Sequence, residues 1–330
     1  MKNSRLPANH LRIVHVLLNR ARVLGLIGRN ERALKDLEKG LLISGKCRDK
    51  KSQAECLFQL SHTYRSLSRY QDMLDSAGES LALSLELNNA LGQGECFNQI
   101  GYGYESLGDY QKALDYYARS LKIKDEAGDR KGQSASYNNI GAVYYKMGDC
   151  HQAMEYHVRS LKIKEELEDR LGQAKSLNNI GSLQGRLGDY QKAMEYHVRS
   201  LRIKEEIGDR PGQAQSLNNI GVVHNMLGDH AGAMENWARS LTIRESIGDR
   251  KGQAVSLNNI GRIHLDQGEY EMAKRYFAQC ETIAREIGSK EILHRVSISL
   301  GELEIAGGPG ESSRQQAGEY AGQALHLAQG

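Results

Sequence analysis

The residues best placed to do chemistry in this chain are amides, and they come in pairs. Asn138-Asn139, Asn178-Asn179, Asn218-Asn219 and Asn258-Asn259 stand 40 residues apart, with Asn98-Gln99 one period earlier. Asparagine is a poor helix former, because its side chain competes for backbone hydrogen bonds. Amides kept at one phase of a repeat therefore ask for a reason. Each carries donors and acceptors, so a ladder of them can pair with the C=O and N–H groups of an extended peptide whatever its sequence. The competing reading is that one amide of each pair bonds the neighbouring repeat.

Other reactive groups carry less. His157 and His197 occupy the position held elsewhere by Tyr117, Trp237 and Phe277, which reads as a packed core ring with its polar tip solvated. Equivalent positions on successive units are separated by two helix packings of ~8–10 Å each, too far for a shared metal, and no Cys or carboxylate stands at ligand spacing. The same distance argues against a Cys56–Cys96 disulfide. No Walker loop, GxSxG, HExxH, EF-hand loop or Rossmann fingerprint occurs. No catalytic residue, metal or cofactor is expected, and the chain reads as non-enzymatic. Arg119, Arg159, Arg199 and Arg239 would stack into a basic stripe. Asp115, Glu155, Glu195 and Glu235 stand four residues before them, the favourable acid-first order on a helix. Lys122–Glu126, Lys162–Glu166 and Arg202–Glu206 repeat the pairing. The stripe is self-neutralised and reads as a solvated face.

Composition agrees. The 330 residues hold 44 Lys plus Arg against 41 Asp plus Glu, a net charge of +3, and 39% are apolar. Neither a nucleic-acid partner nor a membrane is expected: the charge excess is small, and no apolar run reaches the ~20 residues a membrane helix needs. The five cysteines are odd in number and include no CxxC pair, and the first ten residues have no apolar secretory core. These features point to a reducing, cytoplasmic setting.

The elements that must position these side chains follow from the repeat. Asn-Asn-Ile-Gly occurs at 138–141, 178–181, 218–221 and 258–261; Arg-Ser-Leu at 119–121, 159–161, 199–201 and 239–241; and Gly-Asp-Arg at 128–130, 208–210 and 248–250, with Glu168 replacing Gly in one copy. Within 131–170, Ala135, Tyr137, Ile140, Val143, Tyr144 and Met147 fall at the three- and four-residue spacing of a helix face. Gly148 stops that helix and Asp149 caps the next, on which Ala153, Tyr156, His157, Ser160, Leu161 and Ile163 repeat the spacing. Each period is two antiparallel helices joined by a Gly-Asp turn. Gly141 and its equivalents sit mid-helix, where Gly costs about 1 kcal/mol relative to Ala. We expect them to face the small residue twelve further on, Ala153 in this copy, so that the two helices cross closely.

The order Ile100, Gly101, Tyr104, Ala113, Tyr117, Ser120 resembles the tetratricopeptide repeat (TPR). The resemblance covers nearly the whole chain, with a 40-residue period in place of the usual ~34; the second helix and its exit are expected to take up the extra length. The long form is similar to the Pins/LGN scaffolds, to rapsyn and to the repeat arms of bacterial signalling and STAND-type ATPases. The resemblance implies an all-α, right-handed superhelix, an α-solenoid of about eight helix-turn-helix repeats. By phase these span 9–47, 52–88, 91–130, 131–170, 171–210, 211–250, 251–289 and 290–330, a single solenoid over 9–330 behind a tail of residues 1–8. The first repeat is imperfect at Arg20, and the last carries a Gly307-Gly308-Pro309-Gly310 insertion. Its final helix bears few charges, which leaves open whether the chain is complete or part of a longer protein.

The resemblance also implies that the first helices line a concave groove and that the amides face it: Asn98, Asn138, Asn139, Asn178, Asn179, Asn218, Asn219, Asn258 and Asn259. Related scaffolds use such ladders to hold extended segments of partner proteins. Selectivity would come from Tyr102, Glu105, Tyr145, Lys146, Arg186, Asn225, Met226, Arg262 and Asp266, among which the cations, set against Glu105 and Asp266, suggest an acidic or acidic-aromatic peptide. The leading expectation is a protein-interaction scaffold. The alternatives are a sensor arm of a larger signalling protein and a solenoid that associates end to end.

Overall fold

The computed structural model describes residues 5–307 and 311–329. The tip of the late insertion, 308–310, and the first four residues of the expected tail lie outside them. All described elements are helical. In chain order they are α1 (Arg5–Leu26), α2 (Asn30–Lys46), α3 (Lys50–Ser66), α4 (Tyr70–Glu86), α5 (Ala90–Ser106), α6 (Tyr110–Glu126), α7 (Arg130–Met147) and α8 (Cys150–Glu166), then α9 (Arg170–Arg186), α10 (Tyr190–Glu206), α11 (Arg210–Met226), α12 (His230–Ser246), α13 (Arg250–Asp266), α14 (Tyr270–Glu286), α15 (Lys290–Gly307) and α16 (Glu311–Gln329). Helix α1 thus begins inside the stretch read as a tail. The chain divides into two compact units, one ending at Glu168 and one starting at Asp169. Within each, an odd-numbered helix packs on the even one that follows it and on the even one before it. Successive odd helices also touch, α1 with α3, α3 with α5, α5 with α7, α9 with α11 and α13 with α15. The odd helices therefore form a continuous inner row in each unit.

Turn chemistry sets the helix lengths. Each connection from α1–α2 to α14–α15 holds one left-handed residue, and these recur every 20 residues, from Gly28 through Gly288. Ten are glycines, while Arg48, Ser68, Asn88 and Glu168 adopt the same conformation with a side chain, Glu168 at φ 53°. The residue after the turn caps the next helix wherever it is Asp or Asn, though not at Arg29, Arg69 or Glu269: Asp129 accepts from the Gly132 amide at 2.9 Å and Asp149 from that of Gln152 at 3.0 Å. The two helices of the repeat formed by α9 and α10 are thus equal, at 17 residues each, and α7 is one residue longer, at 18.

The mid-helix glycines meet rings, not the alanines twelve residues on. A Cβ on Gly101 would lie 2.8 Å from the Tyr117 ring, one on Gly221 2.6 Å from Trp237, and one on Gly261 2.6 Å from Phe277. Gly141 and Gly181 lie against His157 and His197 in the same way. The ring is the ridge and the glycine is its groove.

Two polar devices recur along the repeats. The serine of every Arg-Ser-Leu phrase is fully buried and donates to a carbonyl of the preceding helix: Ser120 to Gly94, Ser160 to Ser134, Ser200 to Ala174 and Ser240 to Ala214, all at 2.7–2.8 Å. Ion pairs then tie the start of a first helix to the end of its partner, Lys50 with Glu86, Arg130 with Glu166, Arg170 with Glu206 and Arg250 with Glu286. Glu166 and Glu206, expected to pair with Lys162 and Arg202 on their own helix, are thus engaged across the helix pair. In the first repeat Arg20, a poor match to the pattern, pairs with buried Asp36.

Candidate peptide-binding face

The amide pairs lie on the inner row and are chained from one repeat to the next. Asn139 donates through Nδ2 to Asn98 Oδ1 at 2.9 Å in the first unit. In the second, Asn219 donates to Asn178 Oδ1 at 3.1 Å and Asn259 to Asn218 Oδ1 at 3.3 Å. The register runs on to Ser299, whose hydroxyl donates to Asn258 Oδ1 at 3.3 Å. In these three links the second amide of a pair reaches the first amide of the repeat before. Asn178 and Asn258 are buried, at 5% and 2% exposure, whereas Asn179, Asn219 and Asn259 are half-buried. In the 178–179 and 258–259 pairs the second member is therefore the more open to solvent, while Asn218 and Asn219 are both half-buried. Gln99 meets His62 Nδ1 at 2.9 Å instead; burial pushes that imidazole down to about 4, so it is neutral at pH 7.

The residues expected to give selectivity are drawn into pairs of their own. Lys146 binds Glu105 at 2.8 Å, and the same carboxylate accepts from the Tyr117 hydroxyl at 2.7 Å. Arg262 binds Glu302 at 2.9 Å. The Arg65 guanidinium sits 3.6 Å over the Tyr102 ring, and Asn225 meets His230 at 3.2 Å. Tyr145, Lys146, Arg186 and Arg262 are exposed, Tyr102 and Asn225 half-buried. Met226, exposed at the position of Lys146 and Arg186, adds an apolar contact to the row.

The two core histidines are fully enclosed, at 2% exposure each, so their polar tips are not solvated. Burial pushes both down to about 4, with the Lys164 and Lys204 charges adding to the effect. His197 Nδ1 meets Asn178 Oδ1 at 3.0 Å, whereas His157 Nδ1 has no partner. The arginine stripe is engaged as its spacing implied: Arg119 pairs with Asp115 at 2.8 Å and Arg239 with Glu235 at 3.9 Å, while Arg119 and Arg159 also lie over Tyr116 and Tyr156.

Sequence reasoning overlooked a line of buried cations. Lys124, Lys204 and Arg244 are 6%, 1% and 7% exposed and donate across the seam to Ser136 at 3.2 Å, Ser216 at 2.9 Å and Ser256 at 3.0 Å. Their stems run over Gly132, Gly212 and Gly252, where a Cβ would collide with them. A signal was present: Lys122 and Arg202 have Glu four residues on, whereas Lys124 and Lys204 have Gly128 and Gly208. Among the described residues no group of three His, Cys, Asp or Glu could hold a metal ion, and no helix is long and apolar enough to cross a membrane.

This geometry defines a helical-repeat protein built of stacked antiparallel helix pairs. The chain belongs to the tetratricopeptide repeat family, whose profile matches residues 53–126, 132–206 and 209–286. It is similar in fold to the apo form of the quorum sensor NprR from B. thuringiensis (17% identity over 96% of this chain and 87% of that one, TM-score 0.72). It is similar as well to aspartyl phosphate phosphatase F from Bacillus subtilis (15% identity, 84% and 72%, TM-score 0.69). A third likeness is to a signal-transduction ATPase of the STAND class with a tetratricopeptide repeat sensor, from Pyrococcus horikoshii (13% identity, TM-score 0.71); the match takes in 95% of this chain and 47% of that protein. No curated protein sequence matches.

Proposed function

We propose that this chain is a non-enzymatic scaffold whose inner helical row holds an extended segment of a partner protein, with the asparagine ladder meeting the backbone of that segment. The observation that carries the reading is the recurrent amide link between neighbouring repeats within each unit. Asn139, Asn219 and Asn259 each spend one Nδ2–H on the repeat before, and an amide has a second N–H and a carbonyl oxygen besides. Bonds between repeats fix the planes of these amides, so a ligand would meet them already ordered, which lowers the entropic cost of binding. The fold likeness to a Rap protein solved with competence and sporulation factor, and to a quorum sensor, supports a peptide or protein as the partner.

Side-chain selection would fall to Tyr102, Tyr145, Lys146, Arg186, Asn225, Met226 and Arg262. Acidic side chains of a ligand would compete with Glu105 for Lys146 and with Glu302 for Arg262, so the preference for acid is a weaker part of the proposal than backbone capture. A cytoplasmic setting belongs to the same reading. It rests on the odd number of cysteines and the lack of a CxxC pair.

The test is capture of partners from a lysate of the source cells, with the wild type beside a variant carrying Asn139→Ala, Asn219→Ala and Asn259→Ala, and the melting temperature of each. Lost capture by a variant that still folds supports the reading. Undiminished capture would overturn it.

Two other readings have specific support. The STAND likeness favours a sensor arm of a larger signalling protein. The open face of α1, where Ile13, Val16 and Val23 are 44%, 62% and 57% exposed, favours end-to-end association; internal repeats bury the residue equivalent to Val16, as at Cys56 and Cys96. Sedimentation over a range of concentrations separates the second from a strict monomer.

A further inference from the structure

A second recess lies away from the inner row, between the even-numbered helices α2 and α4 above α3. Its volume is about 900 Å³, and Leu41, Leu42, Leu57 and Leu83 form its apolar surface. The corresponding hollow between α12 and α14 is about 400 Å³. The two are the same place in the repeat, because their lining residues match at a shift of 200 in sequence. The difference is traceable to three positions. Glu245, Ala278 and Thr282 line the small hollow, and Gly45, Gly78 and Ala82 stand in their places.

These two glycines have no packing reason. A Cβ on Gly45 or on Gly78 would meet nothing within 4 Å, whereas one on nearby Gly40 would meet Cys56 Sγ at 3.1 Å. Neither Gly45 nor Gly78 has a positive φ. Both weaken the helices that hold them, and what they achieve is an open trough with Leu42 60% exposed on its side. The rim is charged in a definite order. Glu38 and Glu79 flank one end, and Glu79 replaces the arginine found at Arg119, Arg159, Arg199 and Arg239. Lys46 marks the other end, about 12 Å along α2 at 1.5 Å per residue.

We propose that this trough is a second docking site, distinct from the inner row, for an amphipathic helix of a partner protein that carries leucine-sized residues on one face, a basic residue at one end and an acidic residue at the other. The walls are helices whose backbone groups are already bonded, so they offer no strand edge. A ligand here must satisfy its own backbone, and a helix does so. Its basic end meets Glu38 and Glu79 and its acidic end meets Lys46, which fixes its direction.

The probes are two fluorescein-labelled alanine-based peptides of about 15 residues. Each has two leucines one turn apart, with Arg and Glu at opposite ends; one is the reverse of the other. A third peptide bears Glu at both ends. Anisotropy titration of the whole chain is expected to show one direction binding in the micromolar range and the third at least about tenfold weaker. The double variant Gly45→Glu, Gly78→Ala copies the closed hollow. It should lose binding by about tenfold or more while melting no lower than wild type, because both changes favour helix. Glu38→Lys with Glu79→Lys should reverse the charge preference. Binding by neither directional peptide at about 1 mM, equal affinity in the filled variant, or an unchanged preference in the charge variant would each overturn the proposal. So would loss of binding in the Asn139, Asn219, Asn259 variant alone, which would place the peptide on the inner row.

Discussion

The Lys204 ammonium donates to Ser216 Oγ at 2.9 Å across the seam between one repeat and the next, with 1% of the lysine exposed. Ser216 is not dependent on it, since the Ser200 hydroxyl also lies 3.2 Å away. Burial outweighs the distant charge of Asp209 and pushes the lysine from 10.5 down to about 8.

A buried cation of this kind costs stability at neutral pH, and the cost has a defined pH window. Below pH 8 the lysine is charged in both the folded and the unfolded chain, and the full penalty applies, about 3 kcal/mol for a difference of this size. Between 8 and 10.5 the unfolded chain binds more proton than the folded one, so stability rises with pH. Above 10.5 the penalty is gone. Lys204→Met keeps the stem and removes the charge. It should raise stability at pH 7 by about 1–3 kcal/mol, and its advantage should shrink by pH 10. Urea unfolding of both proteins at the two pH values measures this.

The histidines act at the other end of the scale. His157 titrates near 4 in the fold against 6.5 in the unfolded chain. Its stabilising effect is therefore complete above 6.5 and lost as pH falls through 4, again by about 3 kcal/mol at most. His157→Phe installs the ring found at Phe277. The variant should lose less stability than wild type between pH 7 and 4, as read from unfolding midpoints at each pH.

Glycine replacements should divide by position. Gly221→Ala brings a Cβ to 2.6 Å from the Trp237 ring, an overpacking that should cost about 1–3 kcal/mol. Glu168→Gly relieves a left-handed side-chain residue and should stabilise by about 1 kcal/mol. Thermal unfolding of the two single variants should shift in opposite directions.

The amide ladder has its own stability cost. Asn219→Ala removes the donor to Asn178 Oδ1, which still has the His197 ring at 3.0 Å. A net loss of about 0.5–1.5 kcal/mol is expected, partly offset by the better helix propensity of Ala. A loss above that range would mean that Asn219 serves the framework more than the face.

The helix pairs, their turns and their caps were legible because Gly-Asp punctuation and the 40-residue period act locally. What the period could not convey was which partner each residue meets. Ala135 and Met147 fit the apolar spacing of α7 and are exposed, while Ser134 and Ser136 are buried. The seam is lined by small polar groups, so counting apolar residues misplaces the face by part of a turn. The choice of ring rather than alanine opposite Gly141 likewise depends on the helix crossing. Of the candidate site, the phase of the amides was readable. Their mutual bonds, and the pairing of Lys146 and Arg262, join residues about 40 apart and belong to tertiary structure.

The left-handed residues recur at a strict interval of 20, and from that follows a kind of interchangeability. Removing residues 211–250 rejoins a Gly-Asp-Arg phrase to its own copy, keeps the spacing of the buried serines and leaves Arg210 in the place of Arg250, opposite Glu286. The chain is divisible in whole blocks without a scar. The number of repeats is then open to change by recombination between near-identical stretches of coding sequence rather than by gradual redesign of each helix pair.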